Sequence, residues 1–312
     1  MCRLIDDITT FLESNGFECS RLIRDDFDVI CTRTLDGRSS KVIIPLEITA
    51  DTQEEAAQVS ENEYECIQFI TSREGHPLII TEDRWNSRKE MMQKRILSHL
   101  EVFSQAYARN CEVRRIDKAE AQEFLNANHS YGYAACRYRY GLFLKRHTGH
   151  IAEEIRNLKG DKSEDIGMLV AVATFSNARK WNKGDKEIRS YEWTRYASLP
   201  QMRISGGMGK MLKTFIEEVQ PDDIMSYADL EWSAGKVYKQ LGFKKEDGKA
   251  PVMFCVDKET WTRTPVRPGI TKGSTIAGST DQSAESLKLM QKNLFFRNFG
   301  SNKYRLKLTE YE

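Results

Sequence analysis

Hydrophobic positions along the chain pass through helix-type and strand-type periods twice over. Leu4, Ile5, Ile8, Phe11 and Leu12 recur at the spacing of one helix face within Arg3–Asn15, and Asn15-Gly16 supplies the stop. Phe17–Leu22, Phe27–Thr34 and Lys41–Thr49 predict strands, the last two joined by a Leu-Asp-Gly-Arg turn. An acidic helix over Asp51–Gln68, a strand over His76–Thr81 and a basic helix over Arg84–Leu100 complete an α/β domain expected to span residues 1–105.

The second passage begins with a linker helix over Glu101–Arg109, a strand over Cys111–Ile116 and a helix over Asp117–Asn126 with Asp117 as its N-cap. Arg137–Leu144 and Met168–Ser176 predict two more strands, separated by the polar stretch Arg146–Asp165, which is longer than a plain hairpin. A fourth strand carries Glu192. Met208, Met211, Leu212, Phe215, Ile216 and Val219 then share one helix face, Ile224–Asp229 is a strand, and Ser233–Leu241 is a short helix ended by Gly242. Ala250–Asp257 reads as a sixth strand, which puts the second domain at residues 106–258.

From Thr260 to Ser286 the composition shifts to Thr, Gly, Ser and Pro, as in an extended tail or linker. Beyond it, residues 259–312 form an extension in which nine Lys or Arg stand against four Asp or Glu from Thr260 onward. Phe295, Phe296, Phe299 and Tyr304 interleave with these charges. Such a segment can hold phosphates and stack on bases, or pack as a β-hairpin; the sequence leaves both open.

The chemistry concentrates between Glu192 and Phe243. Arg203-Ile-Ser-Gly-Gly-Met-Gly-Lys210 is a glycine-rich turn that opens an amphipathic helix, and a helix start offers unpaired N–H groups and partial positive charge. Gly206, Gly207 and Gly209 remove side chains that would hold a pyrophosphate away, and Arg203 and Lys210 add charge. A bare turn and helix start is the alternative.

This stretch resembles the GCN5-related N-acetyltransferase superfamily, in which a pyrophosphate loop of the pattern Q/R-x-x-G-x-G/A follows the fourth strand and a helix ends in Tyr-x-x-x-Gly-Phe. Arg203-Ile-Ser-Gly206 matches the first half, Met208 stands where the family has a small residue, and Tyr238-Lys-Gln-Leu-Gly-Phe243 carries the tyrosine and the Gly-Phe exit. The line Ser226-Tyr-Ala-Asp-Leu-Glu-Trp-Ser-Ala-Gly-Lys-Val-Tyr-Lys-Gln-Leu-Gly-Phe243 is similar to one in bacteriophage and mobile-element proteins with such a domain. The resemblance implies acetyl-CoA or another acyl-CoA as cofactor and a mixed sheet with flanking helices. It also implies N-acyl transfer to an amine, with Glu192 as general base and Tyr238 as the acid that protonates the departing thiolate; the alternatives are a strand carboxylate paired with Arg189 or Arg195 and a tyrosine that only fills an apolar face. Asn128-His-Ser-Tyr-Gly-Tyr133 is similar to a line on the acceptor side in the phage group. His129, of a residue type whose ordinary pKa lies near neutrality, is a second candidate base or a loop histidine bound to backbone. Asp229 is a third, or a structural partner of a basic residue. A nucleic-acid acceptor is the expectation from the phage context.

The order helix, hairpin, strand in the first domain invites a nuclease reading. Restriction-endonuclease-like folds place one carboxylate on a strand and D/E-x-K on the next, around magnesium. Asp28 and Glu47 are the candidate acids, but Thr49 stands where the lysine belongs. Ile80–Ile96 is similar to a line that closes very-short-patch-repair-like endonuclease domains, so a degenerate nuclease domain is expected. A metal-dependent nuclease and a non-catalytic recognition scaffold remain the rival functions.

Composition adds limits. Over 312 residues, 47 Lys plus Arg against 46 Asp plus Glu leave no bulk charge to attract nucleic acid. The seven cysteines form no C-x-x-C pair and predict reduced thiols in a cytoplasmic protein. His147 and His150 lack a third ligand beside them, so no metal site is expected there. An apolar run long enough to span a bilayer is missing. The overall expectation is a mixed α/β (α+β) protein of two domains.

Overall fold

Leu4, Ile5, Ile8 and Leu12 are buried along one side of α1 (Leu4–Ser14), as their spacing requires. The computed structural model describes residues 3–24, 27–34, 40–145, 167–184, 186–200, 202–266 and 292–311. The stretch with His147 and His150, and the part of the Thr260–Ser286 segment from residue 267 onward, lie outside them. The described chain divides into two units, one of Met1–Met92, Ala228–Gly235 and Asp247–Asn302, the other of Gln93–Tyr227, Lys236–Glu246 and Lys303–Glu312.

In the first unit, β1 (Phe17–Arg24), β2 (Phe27–Thr34), β3 (Ser40–Leu46) and β4 (Leu78–Thr81) form a sheet in sequence order. The first two pairings are antiparallel, and β3 runs parallel to β4 with Ile43 opposite Leu78. A parallel pair needs a crossover, and α2 (Gln53–Glu74) is that crossover, capped by Thr52, whose side chain accepts from Glu55 N–H at 3.1 Å. Its buried stripe of Ile67 and Ile70 packs on Val29, Val42 and Ile44. A second sheet, β15 (Arg263–Pro265), β14 (Met253–Asp257) and β16 (Asn293–Arg297), adds Phe254, Val256, Leu294 and Phe296 to the same core.

Four expectations are corrected here. Residues 84–100 do not form one helix: α3 (Glu82–Ser87) stops at Arg88, and α4 (Lys89–His99) starts anew. β14, expected as the sixth strand of the second domain, belongs to the first unit. The C-terminal segment is not a hairpin, because β16 pairs with β14 while β17 (Ser301–Lys307) enters another sheet. Of Phe295, Phe296, Phe299 and Tyr304, three are not a base-stacking surface either, while Phe295 is half-buried. Phe296, Phe299 and Tyr304 are buried, and Arg297, Lys303 and Arg305 form ion pairs with Glu61, Glu246 and Asp223.

The second unit is built on β6 (Cys111–Arg115), β7 (Tyr138–Leu144), β8 (Leu169–Phe175), β9 (Arg179–Lys183), β10 (Lys186–Ser198), β12 (Asp223–Asp229) and β13 (Lys244–Lys249), with β17. The order is β13-β17-β12-β10-β8-β7-β6, and β9 pairs with β10. One face carries α5 (Lys118–Asn128), whose Ala121, Phe124 and Leu125 meet Phe143, Val172 and Ala197. The other carries α6 (Gly207–Val219), whose Phe215 stacks on Phe175 at 3.8 Å and meets Tyr138, Tyr140 and Tyr191 edge-on. The expected linker helix is instead β5 (Ser104–Tyr107) and a single 3-10 turn, with β5 parallel to β11 (Met202–Ser205). The short helix α7 covers only Lys236–Gln240.

Candidate functional site

α6 begins where Gly206 takes φ 79°, a left-handed backbone that other residues adopt at a cost. No side chain caps it. The first intrahelical bond runs from Lys210 N–H to Gly206 O at 2.9 Å, so the N–H groups of Gly207, Met208 and Gly209 have no acceptor within the helix. The three glycines do different work. Gly206 is exposed. A Cβ on Gly207 would stand 3.1 Å from Ile204 and 3.3 Å from Leu142, so its missing side chain lets the helix lie against the sheet. One on Gly209 would meet Leu241 at 3.3 Å.

The two basic residues also diverge. Lys210 Nζ donates to the carbonyls of Ala108 at 2.9 Å and Cys111 at 2.6 Å, which commits it to fastening the 3-10 turn. Arg203 is exposed, with its guanidinium over the ring of Phe103 at 5.4 Å. Of the two, Arg203 is the one on the surface beside the turn.

β10 and β12 are parallel only from Ser190–Asp223 to Glu192–Met225. β10 then continues to Ser198 with β8 on its other edge, and its register shifts between Trp193 and Arg195. Ser226, the next residue of β12, lies with Oγ 3.0 Å from the Trp193 carbonyl and 2.9 Å from Tyr238 Oη. A serine has one proton and a carbonyl only accepts, so the bond to Trp193 uses that proton and the phenol must donate to Ser226 when both bonds form. Tyr238 stacks on Tyr304 at 5.2 Å and meets Trp193 and Phe243 edge-on. Burial pushes its pKa up, so it holds its proton across the neutral range.

Glu192 is half-buried on β10, its backbone tied to Ser176 in both directions at 2.9 Å. Arg189 is not its partner, since it holds Asp222 and the carbonyl of Gln220. Arg195 donates from Nε to Gly132 O at 3.0 Å and from Nη1 to Thr194 O at 2.8 Å. That first bond ties β10 to the loop of His129. There His129 Nδ1 accepts from Tyr131 N–H at 3.1 Å, so the neutral ring carries its proton on Nε2 and presents a donor there, not a base.

Asp229 belongs to the first unit. Its Oδ1 accepts from Glu231 N–H at 3.0 Å, and its Oδ2 lies 3.7 Å from Arg84. Arg84, Glu231, Arg263 and Asp83 continue into a buried ion cluster, with Arg263 on Asp83 at 2.6 Å and on Glu231 at 3.1 Å. Asp28 and Glu47, the candidate nuclease acids, do converge, but on Arg3: its guanidinium pairs with Asp28 and lies 3.8 Å from Glu47, which also accepts from Leu4 N–H at 3.2 Å. A side-chain cation thus stands between them. No cluster of three or more His, Cys, Asp or Glu able to hold a metal occurs among the described residues.

Sequence reasoning missed Ser226 and the bond of Arg195 to Gly132. Ser226 had a weak signal, as a polar residue between Met225 and Tyr227 in a largely buried strand. Arg195 had none, because its direction depends on the shift in β10.

No family model and no curated protein matches the chain. Among solved structures, Eis1 from Mycobacterium abscessus is similar over 47% of this chain and 34% of its own, at 13% identity and a TM-score of 0.31. A conserved protein of unknown function from Enterococcus faecalis V583, described as a probable N-acyltransferase, is similar over 49% of this chain and 36% of its own, at 12% identity and a TM-score of 0.31. The similarity thus spans about a third of each of those two proteins.

Proposed function

We propose that the second unit is an acyl-CoA-dependent N-acyltransferase of the GCN5-related kind. The observation that carries this reading is the parting of β10 from β12 after Glu192, next to Tyr238, in the unit whose α6 starts uncapped at a glycine turn. The pyrophosphate of a CoA thioester suits the N–H groups of Gly207, Met208 and Gly209, with Arg203, exposed beside the turn, as the counter-charge. The thioester supplies an activated acyl group. Glu192, on the strand that loses its neighbour, takes a proton from the acceptor ammonium; the amine nitrogen bonds to the acyl carbon, the carbon–sulfur bond breaks, and the nitrogen sheds its second proton to water. Tyr238, kept protonated by burial, gives its proton to the thiolate and regains one from water. His129 and Asp229 take no part in this scheme, one presenting a donor and the other bound to Arg84.

Titration of acetyl-CoA into the full chain tests the cofactor site, with Met208→Asp as the control. An aspartate at the second helical position favours the helix dipole by about 0.3–1 kcal/mol yet repels phosphate. The expected outcome is micromolar binding in the wild type, weakened roughly 10-fold or more in a variant that melts no earlier. A wild type that binds no acyl-CoA would end this reading. A nucleic-acid acceptor draws little support from the C-terminal segment, since Phe296, Phe299 and Tyr304 are interior. The Arg3 pairing of Asp28 and Glu47 likewise weighs against the nuclease alternative.

A further inference from the structure

The shift in β10 decides which side chains share a face. Trp193 is opposite Phe175, and both rings lie on the α6 face, stacked at 5.3 Å. The next pair across the strands is Arg195 with Thr174, because Thr194 is the extra residue of a bulge. Arg195 therefore projects to the α5 face, in phase with Ala197, which packs under α5 with Val172. On the far side of β8, Thr174 is paired with Arg139 of β7. Arg139, Thr174 and Arg195 thus form one row across three strands, with the two arginine Cα atoms about 10 Å apart by interstrand spacing.

Both guanidinium groups are half-buried, and neither forms an ion pair with a carboxylate among the described residues. Arg195 is held by the carbonyls of Gly132 and Thr194, and its Cζ lies 5.9 Å from the Tyr131 ring. Arg139 donates from Nη1 to Cys136 O at 3.2 Å, while its Nε is buried with no hydrogen-bond partner among the described residues. Between them, the hydroxyls of Thr174 and Thr194 lie 2.7 Å apart. The loop that both arginines touch, His129–Cys136, contains no acidic residue. Two cations fixed by carbonyls keep their full charge, and a buried N–H without an acceptor costs free energy that a ligand oxygen would recover. Glu192 lies on β10 three residues before Arg195, and its field reaches that guanidinium.

We propose that the acceptor of this site is an amine that carries an oxyanion, a carboxylate or a phosphate, held by Arg139 and Arg195 while its amino group faces Glu192. This deepens the acyl-transfer reading and rests on it. The test follows thiol release from acetyl-CoA with an amino acid against its amide, and with phosphoethanolamine against ethanolamine. In the wild type the anionic member of at least one pair should have kcat/KM higher by roughly 10-fold to 100-fold, and the pair that shows it names the anion. Arg139→Gln and Arg195→Gln should each raise KM with kcat nearly unchanged and bring the ratio toward one, and Arg195→Lys should restore part of it. Equal use of anionic and neutral amines overturns the proposal. If acetyl-CoA does not bind, thermal stabilisation by the same four amines decides the anion site by itself. Stabilisation by anionic amines that both glutamine variants lose retains the site, and its absence in the wild type rejects it.

Discussion

Glu63 lies on the α2 stripe that includes Ser60, Ile67 and Ile70, only 5% exposed. Burial pushes its pKa up to about 8 from an ordinary 4.5. In the unfolded chain the carboxyl ionises near its ordinary value, while in the fold it stays protonated. Below pH 4.5 the group is therefore neutral in both states and costs nothing. As pH rises toward 8 the unfolded state alone gains from releasing the proton, and stability falls, by on the order of 4 kcal/mol at the top of the window. Glu63→Gln should remove this slope. Melting temperatures of the variant and wild type should agree near pH 4.5 and separate progressively, with the variant higher, up to pH 8; parallel curves would show that Glu63 is not buried as a neutral acid. The i, i+3, i+4 spacing places residue 63 on the inner stripe, but its charged identity masks that position in the sequence.

At the scale of elements, β13 shows what a sequence conceals. Lys-Lys-Glu-Asp-Gly-Lys has no apolar alternation, yet it pairs with β17 at the edge of the sheet, where charge on an exposed strand blocks further pairing. The apolar run that follows looked like the better strand and belongs to another sheet. The turn before β17 depends on Gly300, which has φ 75° and where a Cβ would come within 2.4 Å of Lys249 O. Gly300→Ala should cost about 2 kcal/mol or more, read as a drop in the denaturant midpoint without a change in slope. A neutral result would mean that the backbone at Lys249 yields. Most of the remaining elements could be read from periodicity, α6 above all, because Met211, Leu212 and Phe215 are interior at helical spacing. Of the proposed site, Glu192, Gly206 and Tyr238 are the residues that a motif match in the sequence names. The tasks of Gly207 and Lys210 were not legible, since both are settled by contacts with Leu142, Ala108 and Cys111, distant in the chain.

At the scale of the whole molecule, the first unit is discontinuous. Its core joins Val29, Val42 and Ile70 to Phe254, Val256 and Phe296, and its ion cluster joins Asp83 to Glu231 and Arg263. Breaking such a cluster from one side leaves buried charge without a partner, a loss of about 3–5 kcal/mol. A fragment of residues 1–92 should therefore be insoluble or molten, binding a hydrophobic dye and lacking a cooperative melt, although it holds every strand of the four-stranded sheet. A sharp unfolding transition in that fragment would show the later strands to be dispensable. During synthesis the same arrangement imposes a wait. At about 5–20 residues per second, the interval between the emergence of residue 92 and residue 302 lasts roughly 10–40 s. Throughout it Val29, Val42 and Ile44 lack the strands that finally cover them. The growing chain is thus expected to need a chaperone at that stage, before residue 302 has been made.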